Sequence, residues 1–304
     1  MPVVAIIPAR YASSRFPGKP LAAETGKPLI QHVYEAVAGA KRIDRIIVAT
    51  DDDRIAAAVR AFGGEVAMTR ADHPSGTDRV AEVVAALRRQ SDAAKGQGNG
   101  DDIDLVVNVQ GDEPEMDPGA IDKLVTIMLE RPGVGMGSIA CPFKSEAELM
   151  NPACVKVVLD RDGYALYFSR SLVPYPRDAG GRPGDVSKWL LHLGIYAYRP
   201  ECLARLTATP PCELEQTEQL EQLRALWLGE RIAMAVVPDK SAGIDTPEQY
   251  AAFVRRYKAA SRTTSPVRSG RNLADEVMLR ISHLSFLTRQ RGARPWIRRK
   301  CWRR

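Results

Sequence analysis

Short β-branched runs alternate with longer stretches of helically spaced apolar residues, and this rhythm constrains the fold more than any other feature of the chain. Residues 3–7, 45–49, 66–68 and 105–109 read as strands, and residues 29–37, 53–62 and 78–89 read as helices between them. Uninterrupted apolar runs such as DLVVNVQ suit strands covered on both faces. The expectation is an α/β fold with a mainly parallel sheet flanked by helices.

The second half keeps strand-like pieces at 155–159, 193–198 and 232–237, set among longer irregular connections that predict a smaller second lobe within about 140–225. Residues 213–228 predict one helix with Leu220, Leu223 and Trp227 on a common face. A last helix over 246–257 opens on TPEQ, where Thr246 can cap and Pro247 takes the first turn. Residues 93–102, AAKGQGNGDD, predict an exposed inserted loop. At 45% hydrophobic residues the chain of 304 can bury a large core, and residues 1–258 are expected to form the folded body.

The net charge of +6 suggests a nucleic-acid partner until its distribution is considered. Residues 1–260 hold 31 Lys and Arg against 35 Asp and Glu, whereas residues 261–304 hold 12 against 2. The positive excess belongs to a tail, 259–304, expected to be disordered or partly helical. Its arginines and its Trp296 and Trp302 could contact anionic surfaces, membrane or nucleic acid. Cys141, Cys154, Cys202, Cys212 and Cys301 show no CxxC pairing, so neither a zinc site nor a disulfide framework is expected. The apolar start ends at Pro8 without a preceding basic segment, which predicts a cytoplasmic protein.

Ligands of open α/β sheets sit beyond the carboxyl ends of strands, and three loops there are chemically dense. PARYASSRFPGKPL, residues 8–21, gathers Arg10, Arg15 and Lys19 with two serines, a set able to neutralise a triphosphate. It contains neither GxxxxGK[ST] nor GxGxxG, which disfavours a P-loop NTPase and a dinucleotide enzyme. QGDEP, residues 110–114, offers Asp112 and Glu113 to a cation such as Mg²⁺, or else caps the helix starting near Asp117. GIDTP, residues 243–247, offers Asp245 as a second carboxylate or as part of a helix cap.

These motifs, taken in order with IIVATDD, MTRADHPSGTDR, VKVVLDRDGYALYFSR, HLGIYAYR and LEQLRALW, closely resemble the 3-deoxy-manno-octulosonate cytidylyltransferases, or CMP-Kdo synthetases, over about residues 2–257. The resemblance implies a Rossmann-like nucleotide-diphospho-sugar transferase fold, a homodimer, Mg²⁺ as cofactor and CTP and Kdo as substrates. It implies that Arg10, Arg15 and Lys19 hold the triphosphate, with Lys19 at the α-phosphate, and that Ser75 and Gly76 lie against the base. Asp112 and Asp245 would ligate the metal. Gln110, Arg170, His192, Tyr196, Glu221 and Gln222 would contact the sugar acid, whose carboxylate calls for a cation such as Arg170. In an extended strand His192 and Tyr196 would share one face. Rival readings are a cytidylyltransferase for sialic acid or an 8-amino-Kdo, and a surface-binding protein acting through the tail.

Overall fold

The amino-terminal apolar run forms β1 (Val3–Ala9), which pairs in parallel with β2 (Arg45–Thr50) on one side and β4 (Leu105–Asn108) on the other. β3 (Glu65–Met68) continues the parallel set beyond β2. The computed structural model describes residues 2–12, 15–95 and 103–263. Ser13, Ser14, residues 96–102 of the expected loop and the tail from 264 onward lie outside the described residues, as do Trp296, Cys301 and Trp302. The described residues belong to one unit, Met1–Pro266.

The crossovers between these strands are α1 (Leu29–Ala38), α2 (Asp53–Ala61) and α3 (Gly76–Lys95), so the βα rhythm of the sequence is the architecture of this half. Asp52 caps α2 by accepting from the Arg54 and Ile55 N–H groups. After β4 come α4 (Pro118–Glu130) and β5 (Met136–Pro142), then α5 (Glu146–Met150) and the antiparallel pair β6 (Lys156–Leu159) and β7 (Ala165–Ser169). The long strand β8 (Leu190–Tyr198) is inserted antiparallel between β4 and β5, and β9 (Ile232–Val236) runs parallel to β5 at the far edge. The path is β3-β2-β1-β4-β8-β5-β9, with β6 branching from β8. Apart from β8 and the β6–β7 pair, neighbouring strands are parallel.

One face of the sheet is covered by α3, α6 (Pro200–Ala208) and α8 (Gln222–Trp227), whose Val80, Val83, Leu203, Leu206 and Leu223 join Val4, Ile6, Val106 and Met234 in one buried cluster. α1 and α4 pack on each other and on the sheet away from that cluster. The single helix expected over 213–228 is two: α7 (Glu213–Glu218) and α8 are separated by Gln219 in the left-handed region at φ 53°. Leu220 and Leu223 are buried as expected, but Trp227 is 60% exposed. The break has a tertiary cause, because Arg170 draws the carbonyls of Glu218 and Gln219 out of helical pairing. The last helix, α9 (Pro247–Thr263), outruns the expected end at 257. Its start is the anticipated reciprocal cap: Gln249 N–H donates to Thr246 Oγ1 (3.3 Å), and Gln249 Oε1 accepts from the Asp245 and Thr246 N–H groups. No described helix is long and apolar enough to cross a membrane, and the four described cysteines form no disulfide.

Candidate active site

Because β1 and β4 are adjacent and parallel, the loops leaving their carboxyl ends must meet. Gly111 approaches the Pro8 carbonyl so closely that a Cβ there would stand 2.7 Å from its oxygen, so only glycine fits. Within the first loop Gly18 turns the chain at φ 72°, with its N–H on the Tyr11 carbonyl (3.0 Å), and aims Lys19 inward. The third loop is drawn in by apolar packing. Phe16 packs on a cluster of Leu29, Ile244, Tyr250 and Phe253, with the Phe16 and Tyr250 rings 5.6 Å apart. Ile244 N–H then donates to the Asp112 carbonyl (2.9 Å).

The consequence is a charge cluster built from three distant segments. Lys19 Nζ lies 2.8 Å from Asp112 Oδ2, 2.6 Å from the Ile244 carbonyl and 3.9 Å from Asp245 Oδ1. Its side chain is only 12% exposed. Arg15, on the open side, pairs with the same Asp245 oxygen at 3.1 Å. Arg10 goes elsewhere: its guanidinium donates to the His73 carbonyl at 2.7 Å. The two carboxylates of QGDEP also part. Glu113, half-buried, accepts from Ser241 Oγ (2.7 Å), and desolvation raises its pKa to about 7. The helix after this turn is capped by Asp117, which accepts from Gly119 N–H at 2.9 Å, so Asp112 is not consumed in a cap.

Ser75 and Gly76 stand at the start of α3. The Ser75 hydroxyl bonds Asp78 Oδ2 (2.7 Å) and accepts from the Asp78 N–H (3.2 Å), and Gly76 sits over the Pro8 ring. Thr77, which sequence reasoning passed over although it follows Gly76, donates to Glu221 Oε2 at 2.6 Å. That bond ties the α3 turn to the α8 segment. Gln110 is half-buried at the turn between β4 and Gly111.

His192, Tyr196 and Gln222 form a directional chain. Tyr196 O–H donates to Gln222 Oε1 (3.1 Å), and Gln222 Nε2 faces His192 Nδ1 (3.4 Å). His192 Nε2 meets Ser138 Oγ (2.9 Å), whose own proton goes to the Ile195 carbonyl (2.8 Å). Each proton in this order is used once only if His192 is neutral with its hydrogen on Nε2. Burial agrees, pushing its pKa down to about 3. The two rings are 5.5 Å apart, whereas residues four apart in a regular strand are separated by roughly 13 Å. A bulge makes the difference: Ser138 pairs with Tyr196 and Ile139 with Leu193, so Gly194 and Ile195 have no partner in the β5 register. Gly194 was the signal in the sequence.

Arg170 stands after β7 with its guanidinium on three carbonyls, those of Glu218 (Nε, 2.6 Å), Pro152 (Nη1, 3.1 Å) and Gln219 (Nη2, 3.3 Å). Its N–H and the Ser169 hydroxyl share the Glu218 carboxylate. It neighbours the histidine chain, since Phe168 packs edge-on against His192 at 4.8 Å.

A family model described as cytidylyltransferase matches residues 4–232. Over 252 residues the chain is 48% identical to the 3-deoxy-manno-octulosonate cytidylyltransferase of Syntrophotalea carbinolica, covering 82% of this chain and 95% of that one. The chain belongs to the 3-deoxy-manno-octulosonate cytidylyltransferase family. A second member, from Geobacter sulfurreducens, is 45% identical over 264 residues, covering 85% of this chain and all of that one. A solved structure of a CMP:2-keto-3-deoxy-manno-octonic acid synthetase complexed with CTP superposes with a TM-score of 0.74 at 39% identity, covering 86% of this chain and 100% of that one. The family fold is therefore the fold of this cytidylyltransferase: a largely parallel sheet between helices, Rossmann-like in its nucleotide half.

Proposed function

We propose that the chain transfers CMP from CTP to 3-deoxy-D-manno-octulosonate, releasing pyrophosphate and supplying CMP-Kdo to lipopolysaccharide synthesis. The observation carrying this is the meeting of Lys19 with Asp112 and Asp245 from loops about one hundred and two hundred residues away. The names of the relatives and the bound CTP of the solved neighbour support the substrates.

In the transfer, the anomeric oxygen of the sugar acid bonds to the α-phosphorus as the bond to the pyrophosphate oxygen breaks, and the hydroxyl proton passes to solvent. Phosphoryl transfer is governed by positioning and charge neutralisation more than by covalent help. Lys19, released from the carboxylates by the arriving triphosphate, would set its ammonium on the α-phosphate, and Arg15 and Arg10 would neutralise the outer phosphates. Two carboxylates converging on one cation, with no third acidic, histidine or cysteine ligand among the described residues, fit Mg²⁺, which takes one or two carboxylates and completes its shell with phosphate oxygens and water. Asp112 and Asp245 would hold it. The bound ion would lower the pKa of the sugar hydroxyl and offset charge on the phosphates. Ser75 and Gly76 would bound the base pocket, and Gln110, His192, Tyr196, Glu221 and Gln222 would bind sugar hydroxyls. Assembly as a cytoplasmic homodimer completes the proposal.

The test is pyrophosphate release by purified protein with CTP and Kdo, with and without Mg²⁺, alongside UTP and sialic acid. Release specific to CTP, Kdo and Mg²⁺ is expected; with an 8-amino-Kdo added as a further acceptor, equal or greater turnover of it or of sialic acid assigns the rival sugar, and no release with any pair rejects the transferase.

A further inference from the structure

Lys156 opens β6 in the apolar run VKVVL and is 1% exposed. Its ammonium donates to two carbonyls, those of Asn151 and Arg170, each at 2.9 Å. Carbonyls carry partial charge only, and a buried cation is costly unless a full negative charge stands near. The carboxylate whose field it feels is Glu218, and that group is already engaged by the Ser169 hydroxyl and the Arg170 N–H. Burial lowers the lysine's pKa, Cys154 and Glu218 work against that, and Arg170 adds to it.

Arg170 is half-buried, and its guanidinium likewise meets only carbonyls. Three of its five guanidinium N–H groups are spent on carbonyls, leaving one on each Nη without a partner among the described residues. Glu218 thus stands near two cations while its oxygens are taken by the Ser169 hydroxyl and the Arg170 backbone N–H, and neither the Lys156 ammonium nor the Arg170 guanidinium forms an ion pair with it among the described residues, so one carboxylate faces two positive charges at this corner. That corner adjoins the histidine chain: Lys156 pairs with Ser169 across β6 and β7, and the preceding Val155 carbonyl accepts from His192 N–H at 2.8 Å. Two free N–H groups on a clamped guanidinium form a fork suited to a carboxylate.

We propose that Lys156 is a positioning residue for the sugar acid: its buried ammonium fixes the Arg170 backbone and supplies the unmatched charge that makes the Arg170 fork select a carboxylate over an uncharged group. The proposal rests on the sugar-acid reading above. Nothing in the motif pattern singled out Lys156, although a lone cation in an otherwise apolar strand is a visible anomaly.

The experiment compares kcat/KM for Kdo and for its C1 carboxamide, with CTP saturating, in wild type and in Lys156→Met, Lys156→Gln and Lys156→Arg. Wild type is expected to prefer the carboxylate. The two neutral variants are expected to lose about tenfold of that preference, through KM for Kdo and not KM for CTP, while Lys156→Arg retains most of it. A purely structural role would depress both acceptors alike and leave their ratio unchanged, and that outcome in a folded neutral variant overturns the proposal. Lys156→Gln keeps a donor for the carbonyls and removes only the charge, so it decides if Lys156→Met does not fold. A wild-type ratio near one overturns the proposal whatever the variants do. Absence of any CMP-Kdo synthesis by wild type would instead refute the function proposed above.

Discussion

Acid should loosen the protein at His192 in a way that one substitution can isolate. The Tyr196-Gln222-His192-Ser138 chain leaves Nδ1 as an acceptor facing the Gln222 amide, so a proton there would set N–H against N–H. Burial puts the folded-state pKa at about 3, against 6.5 for an exposed imidazole. Above pH 6.5 both folded and unfolded chains leave the ring neutral, and it contributes no pH dependence. Between 6.5 and 3 the unfolded chain takes up the proton first, so stability falls as pH falls, by about 1.4 kcal/mol per unit in the limit. At pH 5 a fully enclosed ring would cost about 2 kcal/mol; His192 retains partial contact with water, so about 1–2 kcal/mol is expected. Urea unfolding at pH 7.5 and 5.0 should show wild type losing that much more stability than His192→Gln, because the carboxylates common to both proteins cancel in the difference. Equal losses would refute a neutral His192 held below its free pKa.

Three further outcomes follow from the site. Asp112→Asn should lower kcat by about a thousandfold or more while the CTP dissociation constant, measured by calorimetry, moves only a few-fold; near-normal turnover would remove Asp112 from the metal role. Gly111→Ala, whose Cβ would press on the Pro8 carbonyl at 2.7 Å, should cost about 1–3 kcal/mol in urea unfolding and reduce turnover, and an unaltered unfolding midpoint would contradict the close approach. Removing residues 267–304 should leave CMP-Kdo synthesis within about twofold. Loss of binding to anionic vesicles in the same truncated protein would give the basic tail a separate task.

Legibility in the sequence divides along local and non-local lines. β1, β2, β3 and β4 and their crossover helices were readable because each carries its own periodicity and its burial follows from it. The place of β8, antiparallel between β4 and β5, was not, since pairing partners leave no trace in a strand's own pattern. The helix predicted over 213–228 fails for the same reason: its heptad-like apolar spacing is real, but Arg170, some fifty residues earlier, takes the Glu218 and Gln219 carbonyls and opens it. Asp112 and Asp245 were chemically visible, whereas the separation of Glu113 toward Ser241 depends on a loop 128 residues away. Lys156 is visible as a lone cation in an apolar run, but neither its role nor that of Ser138 was, because a strand pattern records where apolar residues fall and says little about what the exceptional polar one meets.

That the site was traceable at all follows from sheet geometry. β1 and β4 are parallel neighbours, with Ile6 opposite Asn108, so the cationic and acidic loops must emerge side by side at one edge. β8 runs the other way, and its pairing of Tyr196 with Asn108 brings the earlier part of that strand, including His192, to the same edge. Parallel strands deliver their following loops and an antiparallel strand its beginning, so the residues proposed for the nucleotide and those proposed for the sugar converge although they are scattered from Arg10 to Asp245. The third loop, which carries Asp245, is held instead by Phe16 packing against Ile244 and Tyr250 and by the Ile244 N–H bond to the Asp112 carbonyl. Phe16→Ala should therefore raise KM for CTP by about tenfold, or about 1.4 kcal/mol, while KM for Kdo changes less; loss of one half-buried ring should also cost about 1–3 kcal/mol of stability. Steady-state kinetics with each substrate varied in turn measures this. An unchanged KM for CTP would mean that the carboxylate of Asp245 is held against Lys19 by something other than that apolar contact.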